Sequence, residues 1–363
     1  MQYLGAGVVR GDYLEWRGVE PEQGKFNWNS PERELRLANQ AGAHLLGLLT
    51  YVPAWASSKP DSEDPTHEVP RDVTEWADFV WAAVSEFAGR MPWFELYNEP
   101  NIGFFKGTVD QFWPLLREGY TAAKQVAPET PVVFPGAAGV PLDWIEALYK
   151  LGAADYFDIM NVHPYRHPGA PDEPPSLPEV ITSLRALMAR YGDGDKPIWM
   201  TEVGYYKQAA EEVHTIPATP EALDACYLVR TYVLALSAGV SKVFWYEYRG
   251  DSFGLMRSDG SPRPAFGAYA TMTWLLEGKS CVGKLASPEG LELHVFASGE
   301  EAIVVAWAPK AKLDYLLDFT PVEAWTLYGA PLALPAQGES LQLDSAPVYL
   351  KCKLADVTSL LLK

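Results

Sequence analysis

Short apolar runs alternate along most of the chain with segments whose apolar residues recur at helical spacing. The runs are AGVVRGD (6–12), HLLGLLTY (44–51), WFELYN (93–98), PVVFPG (131–136), FDIMNVHPY (157–165), PIWMTEVGY (197–205) and KVFWYEY (242–248). They are apolar throughout instead of every second residue, the pattern of parallel strands covered on both faces. Between them, helices are predicted around 31–42, 73–89, 110–127, 142–152, 178–191, 220–238 and 264–277. Several end on a stop signal, such as the glycine after Ala41 and the glycine after Ala88. Repeated strand–helix units predict an α/β chain with a parallel sheet, either closed into a barrel or open and doubly wound. Seven units are legible, with only MQYLG ahead of the first, whereas a closed barrel of this kind needs eight.

After about residue 280 the pattern changes. ELHVFAS, AIVVAWAP, LDYLLDF, EAWTLYG and PVYLKC are short strand candidates separated by glycine, proline and acidic turns. They predict a small antiparallel β-domain. The chain is therefore expected to divide into a 1–279 catalytic domain and a 280–363 accessory domain of β-sandwich type.

Charge narrows the partners. Lys and Arg total 29 against 47 Asp and Glu, a net charge of −18, which argues against nucleic acid and anionic membranes and suits a neutral ligand. Thirteen Trp and nineteen Tyr are flat apolar surfaces that fill cores or stack on ligands. Cys226, Cys281 and Cys352 are too far apart for a zinc knuckle and odd in number, so they read as buried hydrophobes. No signal peptide is visible at the start, so a cytoplasmic location is expected if that start is native. No apolar run approaches the roughly 20 residues that span a bilayer.

In parallel barrels the reactive groups sit at the C-terminal ends of the strands. Those positions carry Arg10 and Asp12, Tyr51 and Trp55, Asn98 and Glu99, His163 and Tyr165, Glu202 and Tyr205, and Trp245 and Glu247. Two carboxylates at strand ends, three strands apart, would face each other across a barrel mouth. Hydrolysis of a glycosidic bond with retention uses such a pair, roughly 5–5.5 Å apart. His163 and His167 have the spacing of a helical metal pair, but Pro164 and Pro168 make a helix there improbable. No metal or other cofactor is expected. The Gly-Lys-Ser at 278–280 is no phosphate loop, because Thr273 stands where that loop needs glycine.

WFELYNEPN (93–101) resembles the Asn-Glu-Pro signature that ends the fourth strand of clan A glycoside hydrolases, and WMTEVGY (199–205) their nucleophile strand, the seventh. EWRGVEPEQGKFNW (15–28), TYVPAW (50–55), VHPY (162–165) and VFWYEY (243–248) agree. Together they look most like family 39 (β-xylosidase-like), with family 5 as a cousin, over roughly residues 5–275. The resemblance implies a (β/α)8 barrel and a retaining glycosidase acting on a β-linked neutral saccharide. It implies Glu99 as acid/base, its pKa raised by the neighbouring Glu202, and Glu202 as nucleophile. Arg10 would hold the nucleophile ionised, with Tyr165 as its hydrogen-bond donor. Asn98 would bind the sugar 2-hydroxyl, His163 would orient the network, and Trp245 would lie under the sugar ring. Trp55, Tyr205 and Glu247 are further candidate contacts.

By the family's strand count, AGVVRGD is the second strand, and the usual first strand is absent. Either the chain begins late or another segment fills the gap. The apolar tail TSLLLK (358–363) or a neighbouring chain, which would make a homo-oligomer, is the candidate cover for the unpaired edges. A loosened barrel also keeps a second reading open, a carbohydrate-binding protein that has lost turnover.

Overall fold

A computed structural model describes residues 4–166, 169–206, 219–335 and 339–362. His167 lies outside them, and so does the end of the 358–363 tail.

Parallel strands alternate with helices through the first three quarters of the chain. The strands are β1 (Val8–Glu15), β2 (His44–Thr50), β3 (Trp93–Leu96), β4 (Val132–Val133), β5 (Ala137–Ala138), β6 (Met160–His163), β7 (Ile198–Val203) and β8 (Val240–Trp245). The helices are α1 (Trp16–Val19), α2 (Asn29–Gln40), α3 (Val73–Phe87), α4 (Val109–Val126), α5 (Leu142–Lys150), α6 (Leu177–Arg190), α7 (Glu221–Ser237) and α8 (Pro264–Leu276). Their starts follow local chemistry. Thr108 and Ser176 form capping boxes with Gln111 and Glu179, satisfying amides that a helix start leaves open.

Pairing runs β1-β2-β3-β4 and β5-β6-β7-β8. Single bridges at Asn98–Gly136 and Val133–Ile159 link the two groups. β4 and β5 occupy one interrupted position, which corresponds to the single run read at 131–136. Among the described residues no strand precedes β1, so seven parallel positions are present. The inner ones are dry: every residue of β6 is buried, as is all of β2 after His44. The end strands differ. β1 is mostly half-buried, and β8 is half-buried or exposed after Val240. Neither has a partner on its outer edge among the described residues.

The C-terminal part forms two antiparallel units. One has the order β13-β15-β11-β10-β9 and the other is β12-β14. Their ranges are β9 (Ser280–Lys284), β10 (Glu292–Ser298), β11 (Glu301–Trp307), β12 (Leu313–Leu316), β13 (Glu323–Trp325), β14 (Ser340–Leu343) and β15 (Val348–Lys353). Alternation sorts the large sheet's side chains. Phe296, Ile303, Val305, Trp307 and Tyr349 join the core that the helices share. Val295, Val304 and Leu350 face a second core with Tyr315 and Leu343. The sheet thus packs on the helical layer through one face. A final helix, α9 (Leu354–Thr358), precedes the tail.

The described part of the tail does not cover the β1 and β8 edges. Leu361 bridges Leu285, and the Leu362 amide donates to the Lys284 carbonyl at 2.8 Å, so this segment lies along β9. An apolar tail pairs with whichever sheet edge its last helix delivers it to, and α9 delivers it to the antiparallel sheet. No described helix is long and apolar enough to cross a membrane.

Candidate active site

The C-terminal ends of β1, β2, β3, β7 and β8 surround a cavity of about 780 Å³. Arg10, Asp12, Tyr51, Asn98, Glu99, Glu202, Trp245 and Glu247 line it. The cavity continues between β1 and β8, where Val8, Val9, Val243 and Phe244 form its walls.

The chain bends sharply as it leaves the strands. Tyr51, Tyr97 and Glu99 have φ of 57°, 81° and 44°, a region that side-chain-bearing residues rarely occupy. Strain of this kind persists where the surroundings over-determine it. For Glu99 they do so by a hydrogen bond from its amide to the Gly136 carbonyl at 2.8 Å. Gly136 must be glycine for a second reason, since a Cβ there would collide with the His163 imidazole and crowd the Glu95 carboxylate.

Arg10 is the hub of the polar network. Its Nε and Nη2 donate to the two oxygens of Glu95 at 2.9 and 2.8 Å. Nη1 donates to Glu202 Oε2 at 2.9 Å, and Nη2 also donates to Asn98 Oδ1 at 2.7 Å. Burial works against the Arg10 charge, but Glu95 and then Glu202 outweigh it and raise its pKa above the ordinary value. Fork-to-fork pairing with Glu95 satisfies both charges without water. Glu202 also accepts the Tyr165 hydroxyl at 2.6 Å. Burial, with Glu202 second, holds that phenol well above its ordinary pKa, so it stays a donor.

Glu99 sits in different surroundings. Its Oε1 meets His163 Nδ1 at 3.0 Å, and His163 Nε2 meets Thr201 Oγ1 at 3.0 Å. Burial pushes the Glu99 carboxyl up to about 7, against the lowering charge of Arg10. Sequence reasoning expected a raised value from repulsion by Glu202; the cause is burial. Burial likewise lowers His163 to about 4, so the ring is neutral near pH 7. One oxygen of Glu99, one of Glu202 and a nitrogen of His163 lie within 4.8 Å of one another.

Of the ten residues given a catalytic role or offered as substrate contacts from sequence, eight meet here. Arg10, Asn98, Glu99, Glu202, Trp245 and Glu247 line the cavity, while His163 and Tyr165 hold the two carboxylates from behind. Asn98 Nδ2 donates to Tyr51 Oη at 3.2 Å, which leaves its second amide proton for the cavity. Two do not reach it. Trp55 donates its indole N–H to the Glu20 carbonyl at 2.9 Å and stands edge-on to Trp16 at 5.5 Å, so it packs the wall outside β2. Tyr205 is 1 % exposed, stacks behind Trp245 at 6.1 Å and donates to the Gly169 carbonyl at 3.2 Å. It supports the Trp245 ring and is not among the residues that line the cavity.

Three polar residues of the network were not foreseen: Glu95, Asn161 and Thr201, at 0 %, 0 % and 2 % exposure. Their signal was present in the sequence. Each is the polar interruption of an apolar strand, in WFEL, IMNV and WMTEV, and a polar group placed there must find a partner inside.

No protein-family model matches the sequence, and no curated protein matches it. Solved structures do. A family 39 glycoside hydrolase from the gut symbiont Bacteroides cellulosilyticus WH2 is 26% identical, with TM-score 0.81 over 96% of this chain and 76% of that one. A family 39 β-xylosidase from Caulobacter crescentus is 17% identical, with TM-score 0.70 over 96% of this chain and 89% of its own. A family 30 endoxylanase from Clostridium papyrosolvens C71 is 14% identical, with TM-score 0.68 over 97% and 93%. The likeness read from the Asn-Glu-Pro and Met-Thr-Glu strands therefore extends over nearly the whole chain, and the protein is a glycosidase similar in fold to family 39 glycoside hydrolases.

Proposed function

We propose that this glycosidase cleaves β-linked neutral saccharides with retention, on a (β/α) barrel that is open at the β1–β8 seam. The observation that carries the mechanism is the approach of the Glu99 and Glu202 oxygens to within 4.8 Å. Inverting enzymes need roughly 6.5–9.5 Å between carboxyls to admit water, and retaining ones about 5–5.5 Å.

Glu202 attacks the anomeric carbon while the bond to the leaving oxygen breaks and Glu99 gives that oxygen its proton. The product is a glycosyl ester on Glu202 and an ionised Glu99. Water then loses a proton to Glu99 and attacks the same carbon, releasing Glu202 as carboxylate and restoring the Glu99 proton. A pKa of about 7 suits both halves of this cycle. Asn98 offers its remaining amide proton to the sugar 2-hydroxyl, and Trp245 offers an apolar face to the ring. The overall charge of −18 disfavours uronic-acid polymers. Glu99, His163 and Glu202 are also a set of donors that a cation could use. Since the cycle needs no metal, full activity after chelation is the expected result.

The test is hydrolysis of a panel of aryl β-glycosides (xyloside, glucoside, galactoside, mannoside, arabinoside) with Glu202→Gln as control. Turnover of one sugar, lost in the variant, supports the reading and names the glycone. A folded protein silent on the panel and on longer β-linked glycans would overturn it.

A further inference from the structure

Behind Glu99 a buried hydrogen-bond chain runs from Asn161 on β6 through Thr201 on β7 to His163. Its directions follow from which atoms can only donate. The Thr201 backbone N–H donates to Asn161 Oδ1 at 3.1 Å, and this sets the amide's orientation. Nδ2 therefore faces Thr201 Oγ1, to which it donates at 2.8 Å. Among the described residues the hydroxyl's remaining side-chain partner is His163 Nε2, at 3.0 Å. If the hydroxyl gives its proton to Nε2, every polar atom in the chain is satisfied. If instead Nε2–H donated to the hydroxyl, the Thr201 proton would be buried without an acceptor, which burial penalises.

We propose that Asn161 and Thr201 are positioning residues that fix His163 as its Nδ1–H tautomer, making it a permanent hydrogen-bond donor to Glu99. This rests on the acid/base reading of Glu99. The functional point is where the acid proton goes. With Nδ1 protonated, the Glu99 oxygen beside His163 always accepts, so the transferable proton is confined to the other oxygen, free to meet a leaving group. With Nδ1 bare, the imidazole would accept that proton as a hydrogen bond and turn the acid away from the substrate. A donor on the carboxylate also favours its charged form and so tempers the effect of burial. The buried ring is neutral, as two tautomers require.

The first measurement is the His163 tautomer in the wild-type protein, from two-bond 15N–1H couplings of histidine-labelled material. Protonated Nδ1 with bare Nε2 is expected; protonated Nε2 overturns the proposal whether or not the protein hydrolyses anything. The second uses Thr201→Val, which keeps the volume and removes the hydroxyl. Loss of the donor should move the alkaline limb of kcat/KM to higher pH and lower activity on alkyl glycosides roughly tenfold or more. Activated aryl glycosides, which need little acid assistance, should change little, and Thr201→Ser should restore the wild-type profile. An unmoved limb and an unchanged alkyl-to-aryl ratio in the folded variant would also overturn it. If the wild type turned over no glycoside, the proposed function would fail while the coupling measurement still decided the tautomer.

Discussion

Glu99 and Glu202 end two parallel strands a few ångströms apart, yet the protein surrounds them with different chemistry. Glu202 accepts from a guanidinium and a phenol, Arg10 and Tyr165, at 2.9 and 2.6 Å. Glu99 is buried against a neutral imidazole and is pushed up to about 7. One carboxylate has donors matched to its negative charge; the other is easily protonated. The same residue type is thereby suited to the two proposed roles, because desolvation and ion pairing act on opposite protonation states. Glu95 keeps the two apart. By holding Arg10 in a two-point pair, it aims the remaining guanidinium N–H at Glu202.

Substitutions sharpen this contrast, beginning with the largest expected effect. Glu202→Gln removes the proposed nucleophile and should lower kcat by roughly 10⁴-fold or more. Its melting temperature should change little, because Arg10 keeps Glu95. A large fall in stability with turnover retained would make Glu202 structural. Glu99→Ala should cost about 10²- to 10⁴-fold on glycosides with poor leaving groups. Azide should recover part of the loss with an activated aryl glycoside, where it replaces water at the glycosyl ester. Without azide rescue, the two carboxylates would have no separate roles.

The pH profile probes Glu99 without a mutation. The first step needs its proton, so kcat/KM should fall as pH rises through about 7. A limb lying near the ordinary value of 4.5 would mean that burial is relieved when substrate binds. The smallest effect is on stability. A carboxyl raised from 4.5 to about 7 on folding contributes stability that is fully present below about pH 4.5. That contribution is lost as pH rises through about 7. Glu99→Gln, neutral at every pH, should therefore melt a few degrees higher than wild type at about pH 8 and close to it at about pH 4. Equal melting curves at both values would remove burial as the cause of the contrast.

Much of the molecule was legible in the sequence. Apolar runs of strand length and helices with caps gave the parallel strands to within a few residues, because burial on both faces is a local and repeated demand. The catalytic candidates were legible for the opposite reason. Glu99 follows the run WFELYN and Glu202 sits next to the end of β7 (Ile198–Val203), where a carboxylate beside buried apolar residues needs a partner or a function. The short β4–β5 break and the strands at 280–284 and 340–343 were not read. Two-residue strands and half-exposed edges leave little periodicity to detect.

The sequence by itself determined the order of the elements, the strand-end positions of the carboxylates and the acidic net charge. Only the tertiary structure decided which aromatics face the cavity, sending Trp55 and Tyr205 into packing and Trp245 into the wall. It alone brought Arg10 against Glu202, 192 positions away, and Glu95, 85 positions away. It also took the apolar tail to β9 instead of to the outer edges of β1 and β8. Periodicity reports which face of an element is buried. The partner across that buried face is set by the register of strands far apart in the chain, and no local pattern encodes it.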